Sequence, residues 1–393
     1  AAAGGGAPFE PVLGASDGLT NILFSSGTTG EPKAIPWGHV AALKAAMECG
    51  LHCNLQPSDA MAWPTSLGWM MGPFLIFGSL LNGATTVIYE GMPHERGFGR
   101  LVQDASVTLL GTVPALVRGW RASGAMAGLD WSSIKAFSST GEASAPDDSL
   151  WLMSRVAGYR PVLEMCGGTE LGGAYQCATA VRPVAPSTFN SACLGMRFVL
   201  LSDDGALLRS PTASGEVALT RPFLGGSQQL LNRDHHAVYF HGMPHENGLQ
   251  LRRHGDRVQR LARGYFRAQG RVDDAMNLGG IKTSALEIER ACADADPSVA
   301  EVAAVSVPPP GGGPEELWLC VVVRPDASAS AAALTATLGR AIRTSLNPLF
   351  KVQGVAVLDA PALPRTASNK VLRRLLRDRC VREAHAAAPR SKL

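Results

Sequence analysis

The 393-residue sequence lacks a large charge excess, a C-x-x-C cysteine pair and a long uninterrupted apolar run. Its 36 Lys and Arg residues against 33 Asp and Glu residues give a formal net charge of +3, which does not favour a nucleic acid as partner. The eight unpaired cysteines are typical of reduced thiols in a non-secretory compartment. Gly72, Pro73 and Gly78 interrupt the longest apolar run, 69–81, so we expect a buried core segment there and no transmembrane segment.

The segment 24–34, Phe-Ser-Ser-Gly-Thr-Thr-Gly-Glu-Pro-Lys-Ala, has the chemistry of a phosphate-binding loop without the two best-known fingerprints. Pro32 precedes Lys33, which excludes a G-x-x-x-x-G-K-[ST] loop, and no G-x-G-x-x-G occurs there. Glycines allow close backbone approach, and consecutive N–H groups, hydroxyls and an ammonium bind anions. A Ser/Thr/Gly-rich surface turn is the alternative. The predicted phosphate-binding residues, after a strand over 21–24, are Ser25, Ser26, Gly27, Thr28, Thr29, Gly30 and Lys33.

A second candidate segment is Cys166-Gly167-Gly168-Thr169-Glu170, which follows an apolar run over 161–165. Hard cations take oxygen ligands, so a hydroxyl and a carboxylate after a glycine pair suit a site for Mg²⁺ and phosphate. Glu170 could instead be an ordinary acid at a helix N-terminus. Cys166 has no histidine partner in the sequence pattern, which favours core or pocket lining over a nucleophile. The histidines within 234–245 match no standard zinc spacing and favour a surface loop.

The pattern of apolar runs predicts an α/β fold in two parts. Over 18–273 we predict a layered large domain, with a small β-subdomain at about 192–260. Over 274–385 we predict a small α+β C-terminal domain, which begins with a helix over 284–293. A flexible lead-in (1–17) and a tail (386–393) flank them. The other predicted elements are strands over 85–89, 107–110, 134–137, 198–202, 215–219, 299–307, 317–323 and 352–358, and helices near 39–49, 146–157 and 331–346.

Several motifs, in order, resemble those of the adenylate-forming (AMP-binding) superfamily: acyl-CoA synthetases, luciferases and peptide-synthetase adenylation domains. The resemblance covers about residues 18–380 and includes the loop over 24–34. In the final motif, P-x-T-x-x-G-K over 364–370, Asn369 replaces the glycine. Asn tolerates the left-handed conformation better than other non-glycine residues. The other segments are 138–143 (Ser-Ser-Thr-Gly-Glu-Ala), 167–170 (G-x-T-E), 254–274 (G-D, G-Y-F and G-R-x-D-D), 277–289 and 364–370 (P-x-T-x-x-G-K).

The resemblance implies roles for individual residues and an overall reaction. The reaction is that of an ATP-dependent acyl-CoA synthetase, an acid–thiol ligase that forms an acyl-adenylate and then a CoA thioester, with ATP, Mg²⁺ and CoA. The alternatives are a ligase with a carrier-protein or oxygen acceptor and a non-catalytic nucleotide-binding fragment. The implied roles are the adenine contact for Gly141 and Glu142, phosphate for Thr169, Mg²⁺ for Glu170, ribose for Asp256, a second contact for Arg271, the interdomain hinge for Asp273 and the catalytic lysine for Lys370.

The acyl pocket and the two termini complete these expectations. The 68–73 segment resembles the G-W-x-x-G of acetyl-CoA synthetase-like members, and Gly167 stands where those relatives place a tryptophan that closes the pocket. Loss of an indole opens apolar volume, so we expect Trp69 and Gly167 to line a pocket for a carboxylic acid longer than acetate. The final Ser-Lys-Leu matches the peroxisomal address, which predicts a peroxisomal location and an import receptor as partner. The first residue is not Met, and we expect the large domain to be incomplete at its N-terminus.

Overall fold

Two antiparallel strands and a helix flank the predicted phosphate loop. They are β1 (Leu19–Ser25), β2 (Lys33–Gly38) and α1 (His39–Met47), which continues as a π-helical turn (Glu48–His52). Ser25 lies opposite Lys33 in the strand register, so the two ends of the loop are neighbours. The structure is a computed structural model that describes residues 10–25, 32–272, 275–278, 281–308, 315–365 and 371–387.

The largest sheet in the described residues has seven strands, in the order β4-β3-β5-β6-β7-β8-β9. They are β3 (Ala60–Ala62), β4 (Thr85–Val87), β5 (Leu109–Thr112), β6 (Ala136–Ser139), β7 (Val162–Gly168), β8 (Gly173–Cys177) and β9 (Ser191–Ala192). Neighbours from β4 to β7 are parallel, and β7, β8 and β9 are antiparallel. Parallel neighbours need crossover connections. The crossover helices are α2 (Met71–Leu81), α3 (Arg96–Asp104), α4 (Pro114–Ser123) and α5 (Pro146–Met153).

Each face of this sheet carries its own apolar core. Consecutive residues of a strand point to opposite faces. Leu109 belongs to one core and Leu110 to the other, and the same alternation holds for Ala136 and Phe137. The central strands are therefore buried on both sides, which explains why they read as continuous apolar runs in the sequence.

A four-stranded antiparallel sheet packs beside the large one, in the order β10-β11-β14-β15. Its strands are β10 (Phe198–Leu201), β11 (Ala213–Leu219), β14 (Arg252–Arg260) and β15 (Phe266–Arg271). Between β11 and β14 lie α6 (His235–Tyr239) and the hairpin β12 (His245–Glu246) and β13 (Leu249–Gln250). The register of β14 with β15 places Asp256 opposite Arg271.

The C-terminal part contains a three-stranded sheet covered by helices. Its elements are β16 (Ala275–Leu278), β17 (Ile281–Ser284), α7 (Ala285–Cys292), β18 (Val299–Val307), β19 (Glu316–Val323), α8 (Ala331–Ser345), β20 (Val352–Leu358) and α9 (Arg373–Ala387). Ser284 and Glu287 form a capping box at the start of α7. Helix α8 crosses over between the parallel strands β19 and β20, which closes an α+β unit.

The predicted fold class is confirmed: a layered α/β part, a small antiparallel sheet and a smaller α+β part. Strand β15 pairs with β14 up to Arg271, so the four-stranded sheet includes residues on both sides of position 260. The domain limits themselves stay predictions. Helix α2 buries one face of the apolar run over 69–81, and Leu80 and Leu81 remain exposed. Among the described helices, none has both the length and the hydropathy required to cross a bilayer.

Glu164, in the middle of β7, is a buried acid within the sheet. Its side chain is 3% exposed, and Ser144 donates a hydrogen bond to Oε1 at 2.6 Å. Burial raises the pKa of Glu164 to about 7, against hydrogen bonds from Ser144 and Ser139 that favour the ionised form. The folded chain therefore keeps this carboxyl protonated at a pH where an unfolded chain has released the proton.

Replacing Glu164 by Gln should change the pH dependence of stability. Because folding raises the pKa from the usual value near 4.3, this group contributes most below about pH 4 and progressively less up to pH 7, roughly 3 kcal/mol in all. The parent should lose more stability than Glu164→Gln between pH 5 and pH 8, measured as the free energy of unfolding in urea. Equal pH slopes for the two proteins would contradict this.

Candidate active site

Residues from β2 and from the turn after β7 meet in an ion pair. Lys33, the first residue of β2, places Nζ 2.5 Å from Oε1 of Glu170. Glu170 lies in the 3₁₀ turn Thr169–Leu171 that follows β7. Trp37 of β2 donates its indole N–H to the carbonyl oxygen of Thr169 at 2.8 Å. The structure thus brings together three of the predicted site residues: Lys33, Thr169 and Glu170.

The surroundings of Glu170 keep its carboxyl ionised. Burial alone would raise the pKa of Glu170, but the charge and the hydrogen bond of Lys33 outweigh burial and hold the pKa at about 2. Tyr239 of α6 donates a second hydrogen bond to Oε1, at 3.2 Å. Arg252 adds a smaller favourable charge. Glu170 is therefore a carboxylate at neutral pH, the ligand type that Mg²⁺ prefers.

Asp256 is the centre of a second polar group, at the junction of β14 and β7. Arg271 donates to Oδ1 at 2.9 Å, and Nε2 of His254 lies 3.1 Å from Oδ2. Tyr175 and Cys166 also contact Oδ2, at 3.2 Å and 3.4 Å. Burial would raise the pKa of Asp256, but His254 and then Arg271 hold it well below its usual range. The predicted pair of Asp256 and Arg271 is therefore in direct contact.

Gly168, the last residue of β7, separates the two groups. A Cβ on Gly168 would lie 3.1 Å from Oε2 of Glu170 and 3.3 Å from Cε1 of His254. Both distances are shorter than ordinary van der Waals contact, so a side chain would displace one neighbour. The absence of a side chain lets the Glu170 group and the Asp256 group lie at one edge of the large sheet.

The other predicted residues are placed as follows. Gly141 follows β6 with φ of +95°, a conformation that favours glycine, and Glu142 beside it is exposed. Thr140 ties this segment to β7 by donating to the carbonyl oxygen of Met165 at 2.7 Å. The buried hydroxyl of Ser25 has no hydrogen-bond partner among the described residues. The predictions for Ser26, Gly27, Thr28, Thr29, Gly30, Asp273 and Lys370 lie outside the described residues.

Gly167 has a structural role that the sequence analysis did not anticipate. A Cβ at this position would lie 2.1 Å from the carbonyl oxygen of Gly173 and 2.5 Å from Cα of Ala174. The backbone of β8 fills the side on which a side chain would project. Trp69 is half-buried just before α2. The acyl-pocket role of Trp69 and Gly167 stays a prediction.

Replacing Gly167 by Ala separates the two explanations for this glycine. A Cβ so close to β8 should force the strands apart and lower the free energy of unfolding by about 2 kcal/mol or more. In the matched control Gly119→Ala, the glycine is exposed in α4 and its Cβ meets nothing within 4 Å. The control should gain up to about 1 kcal/mol from helix propensity. If Gly167→Ala is as stable as the parent, the glycine is not required by the strand pairing.

A buried ion pair supports the turn that carries Glu170. Lys44 and Glu48, both fully buried, lie 3.4 Å apart where α1 continues into the π-helical turn. Lys44 donates to the carbonyl oxygens of Leu171 and Ala174, at 3.1 Å and 2.8 Å. Glu48 accepts the N–H of Ala174. Burial raises the pKa of Glu48 to about 7, while Lys44 opposes the rise. The sequence signal for this pair was two charges four residues apart in an otherwise apolar segment.

One group of side chains has the residue types of a metal site: His52, Cys177 and Cys193. Their candidate ligand atoms lie within 4.8 Å of one another. The N–H of Leu194 donates to Nε2 of His52 at 3.1 Å, so the proton of a neutral ring sits on Nδ1. Neither ring nitrogen then offers a lone pair to a metal. Hydrogen bonds from Cys193 and His52 lower the pKa of Cys177. We assign these side chains to a hydrogen-bonded core cluster.

The 234–245 histidines serve the local fold rather than a metal site. Asp234 caps α6 by accepting the N–H of Ala237 at 2.8 Å. His235 places Nε2 2.9 Å from the carbonyl oxygen of Ser227 and packs its ring against Tyr239. The surface-loop interpretation is wrong in form, because α6 (His235–Tyr239) forms within the segment and buries Tyr239.

Comparison with known proteins assigns the family. The AMP-binding enzyme family matches residues 3–226, and the AMP-binding enzyme C-terminal domain matches residues 287–370. The two matched regions contain the Lys33–Glu170 pair and the three-stranded C-terminal sheet. The chain belongs to the AMP-binding enzyme family.

Two plant proteins are among its similar relatives. The chain is 49% identical over 364 residues to a hexanoyl-CoA synthase of Cannabis sativa, covering 92% of this chain and 50% of that protein. It is 50% identical over 365 residues to a probable peroxisomal acyl-activating enzyme 17 of Arabidopsis thaliana, covering 91% and 50%. The chain therefore spans about half the length of these curated relatives.

Solved structures share the fold. An acetoacetyl-CoA synthetase from Streptomyces lividans aligns with a TM-score of 0.81 at 29% identity, covering 96% of this chain and 58% of that chain. An anthranilate CoA ligase in complex with anthranoyl-AMP aligns with a TM-score of 0.82 at 21% identity, covering 96% and 70%. The second likeness supports the fold alone.

Proposed function

We propose that this chain carries the nucleotide site and the C-terminal part of an ATP-dependent acyl-CoA synthetase. One observation supports this most directly: the Lys33–Glu170 pair and the Asp256–Arg271 pair lie on either side of Gly168, a residue without a side chain. A cation and a metal-binding carboxylate suit phosphates, and an ionised aspartate suits ribose hydroxyls. With the Lys33–Glu170 pair on one side of Gly168 and the Asp256–Arg271 pair on the other, the site would suit a nucleotide that lies along one edge of the sheet. The names of the relatives support CoA as the acceptor of the acyl group.

In the first half-reaction, a carboxylate would attack the α-phosphorus of ATP and release pyrophosphate. The attack joins two anions, so positive charge must offset their repulsion. Lys33 would contact the phosphates, and Mg²⁺ held by Glu170 would neutralise charge on them. Thr169 would contact the phosphates through its hydroxyl. Asp256 and Arg271 would fix the ribose, which aligns the α-phosphorus with the incoming acid.

The second half-reaction would transfer the acyl group to the CoA thiol with release of AMP. By family resemblance, the C-terminal domain turns about Asp273 between the half-reactions and moves Lys370 away from the adenylate. Lys370 would then serve the first step alone, as a point charge at the carboxylate and α-phosphate. This division of labour rests on the resemblance of the last motif.

The names of two relatives and the final tripeptide support a substrate class and a location for this protein. The relative from Cannabis sativa is named for a six-carbon acid, which favours a carboxylic acid longer than acetate. The Arabidopsis thaliana relative is named as peroxisomal, and this chain ends in Ser-Lys-Leu. We infer a peroxisomal enzyme that an import receptor recognises through this tripeptide, with a role in fatty acid metabolism.

ATP–pyrophosphate exchange with acids of increasing chain length tests the proposal. The assay should include this chain and a form with the full length of its relatives. We expect acid-dependent exchange that is faster with hexanoate than with acetate. Equal exchange with both acids would contradict the substrate class, and binding of ATP without exchange in either form would favour the non-catalytic alternative.

Replacing Glu170 by Gln in the full-length form should lower the exchange rate by about 100-fold, the order seen when one preorganised charge-stabilising group is lost. The matched control is Glu216→Gln on β11, a partly buried acid that pairs with Arg253. The control should stay within about twofold of the parent. Similar losses in both variants would remove the assigned role of Glu170.

Lys370→Ala in the same form should separate the half-reactions. We expect loss of exchange, because the charge at the α-phosphate is removed, while thioester formation from supplied acyl-AMP persists. Rates of both half-reactions, measured separately, check this. A comparable loss in the two steps would contradict a role confined to adenylation.

A further inference from the structure

Arg252, the first residue of β14, is a buried cation without a conventional partner. Its side chain is 1% exposed, and within the part of the chain that the structure describes no carboxylate or carbonyl oxygen accepts a hydrogen bond from its three guanidinium nitrogens. Buried arginines normally satisfy their five N–H groups by paired hydrogen bonds to carboxylates or carbonyls. Removing such a charge from water is unfavourable, so other contacts must compensate for the burial of Arg252.

Aromatic rings supply the contacts that hydrogen bonds do not. Cζ of Arg252 lies 3.8 Å from the ring centre of Tyr239 and 5.8 Å from that of Phe223. A desolvated cation over the face of an aromatic ring is a strong form of this interaction. Nζ of Lys33 lies 5.1 Å from the ring centre of the same Tyr239. Two cations therefore use one tyrosine ring.

The tyrosine ring links Arg252 to Glu170. The hydroxyl of Tyr239 donates to Oε1 of Glu170 at 3.2 Å, the oxygen that also receives Lys33. Glu170 also attracts Arg252 directly through its charge. If Lys33 moves to a phosphate, Tyr239 is the remaining described donor to this oxygen. Its ring cannot swing away easily, because Arg252 is packed on its face.

We propose that Arg252 and Tyr239 form a positioning pair that holds the Glu170 carboxylate in the orientation that binds the divalent cation. This role rests on the proposed function of Glu170. Neither residue touches the nucleotide in this scheme: Arg252 fixes the ring, and the hydroxyl of Tyr239 fixes Oε1 of the carboxylate that would hold the metal. Outer partners of metal ligands commonly control metal affinity in this way.

The test compares Tyr239→Phe, Arg252→Met and the double variant in a form with the full length of the relatives. The probes are Mn²⁺ binding in the presence of a non-hydrolysable ATP analogue and the Mg²⁺ dependence of ATP–pyrophosphate exchange. Each single variant should weaken Mn²⁺ binding and raise the Mg²⁺ requirement by about tenfold, the lower end of the range for outer partners of metal ligands. Exchange at saturating Mg²⁺ should change much less. The double variant should bind Mn²⁺ no more weakly than the single variants, because the two residues act as one unit.

Controls separate positioning from a general loss of structure. Arg253→Met changes the neighbouring arginine, which is half exposed and pairs with Glu216, and should leave the Mg²⁺ requirement unchanged. Arg252→Lys keeps the charge and should restore part of the affinity. If Arg252→Met fails to fold, Tyr239→Phe decides the matter, since it keeps the ring and loses one hydroxyl.

The outcomes distinguish this proposal from the proposed function. An active parent whose Tyr239→Phe variant binds Mn²⁺ within twofold of the parent, or whose double variant shows additive losses, would overturn the positioning pair alone. A full-length parent without metal-dependent exchange or Mn²⁺ binding would overturn the role of Glu170 and the positioning pair together. Tenfold, non-additive losses with intact thermal unfolding would support both.

Discussion

The buried ion pair of Lys44 and Glu48 is the constraint on which the candidate site depends. Burying a lysine and a carboxyl group costs several kcal/mol unless hydrogen bonds satisfy their polar atoms. Here the backbone of Leu171 and Ala174 provides them. The pair therefore fixes the chain immediately after Glu170 against the helix that follows β2. Because α1 follows the strand that begins at Lys33 and Leu171 follows Glu170, this contact joins the two segments that carry the Lys33–Glu170 pair.

Close approach of backbone segments organises the rest of the site. Gly167 lets β7 and β8 pair closely, and Gly168 lets the Glu170 group approach the Asp256 group. Strand β8 runs antiparallel to β7 and carries Tyr175, whose hydroxyl donates to Oδ2 of Asp256. Side chains from the four-stranded sheet, Arg271 above all, then close the site from the other side. Three separate sheets thus contribute to one polar edge, and each contributes through a strand end.

Local signals in the sequence predicted the elements well and the tertiary contacts poorly. The capping box of Ser284 and Glu287 and the apolar strand over 299–307 are local, and both agree with the structure. The predicted strands over 107–110 and 134–137 begin two residues too early, because Val107 and Ile134 are buried in the turns before β5 and β6. Motifs gave Lys33, Glu170, Asp256 and Arg271. Tyr239 and Arg252 carry no local signal, because their importance arises from tertiary contacts: Tyr239 with Glu170 and Lys33, and Arg252 with the ring of Tyr239.

The contact between Lys33 and Glu170 also bears on the order in which ligands bind. If Glu170 binds the metal as proposed, its contact with the Lys33 ammonium leaves a free cation only one unshared carboxylate oxygen. A metal ion that arrives alone must compete with Lys33 for Glu170. A metal that arrives already chelated by a nucleotide brings phosphate oxygens that attract the ammonium and free the carboxylate in the same encounter. Under the proposed role of Glu170, the pair would therefore favour the metal–nucleotide complex over either component alone.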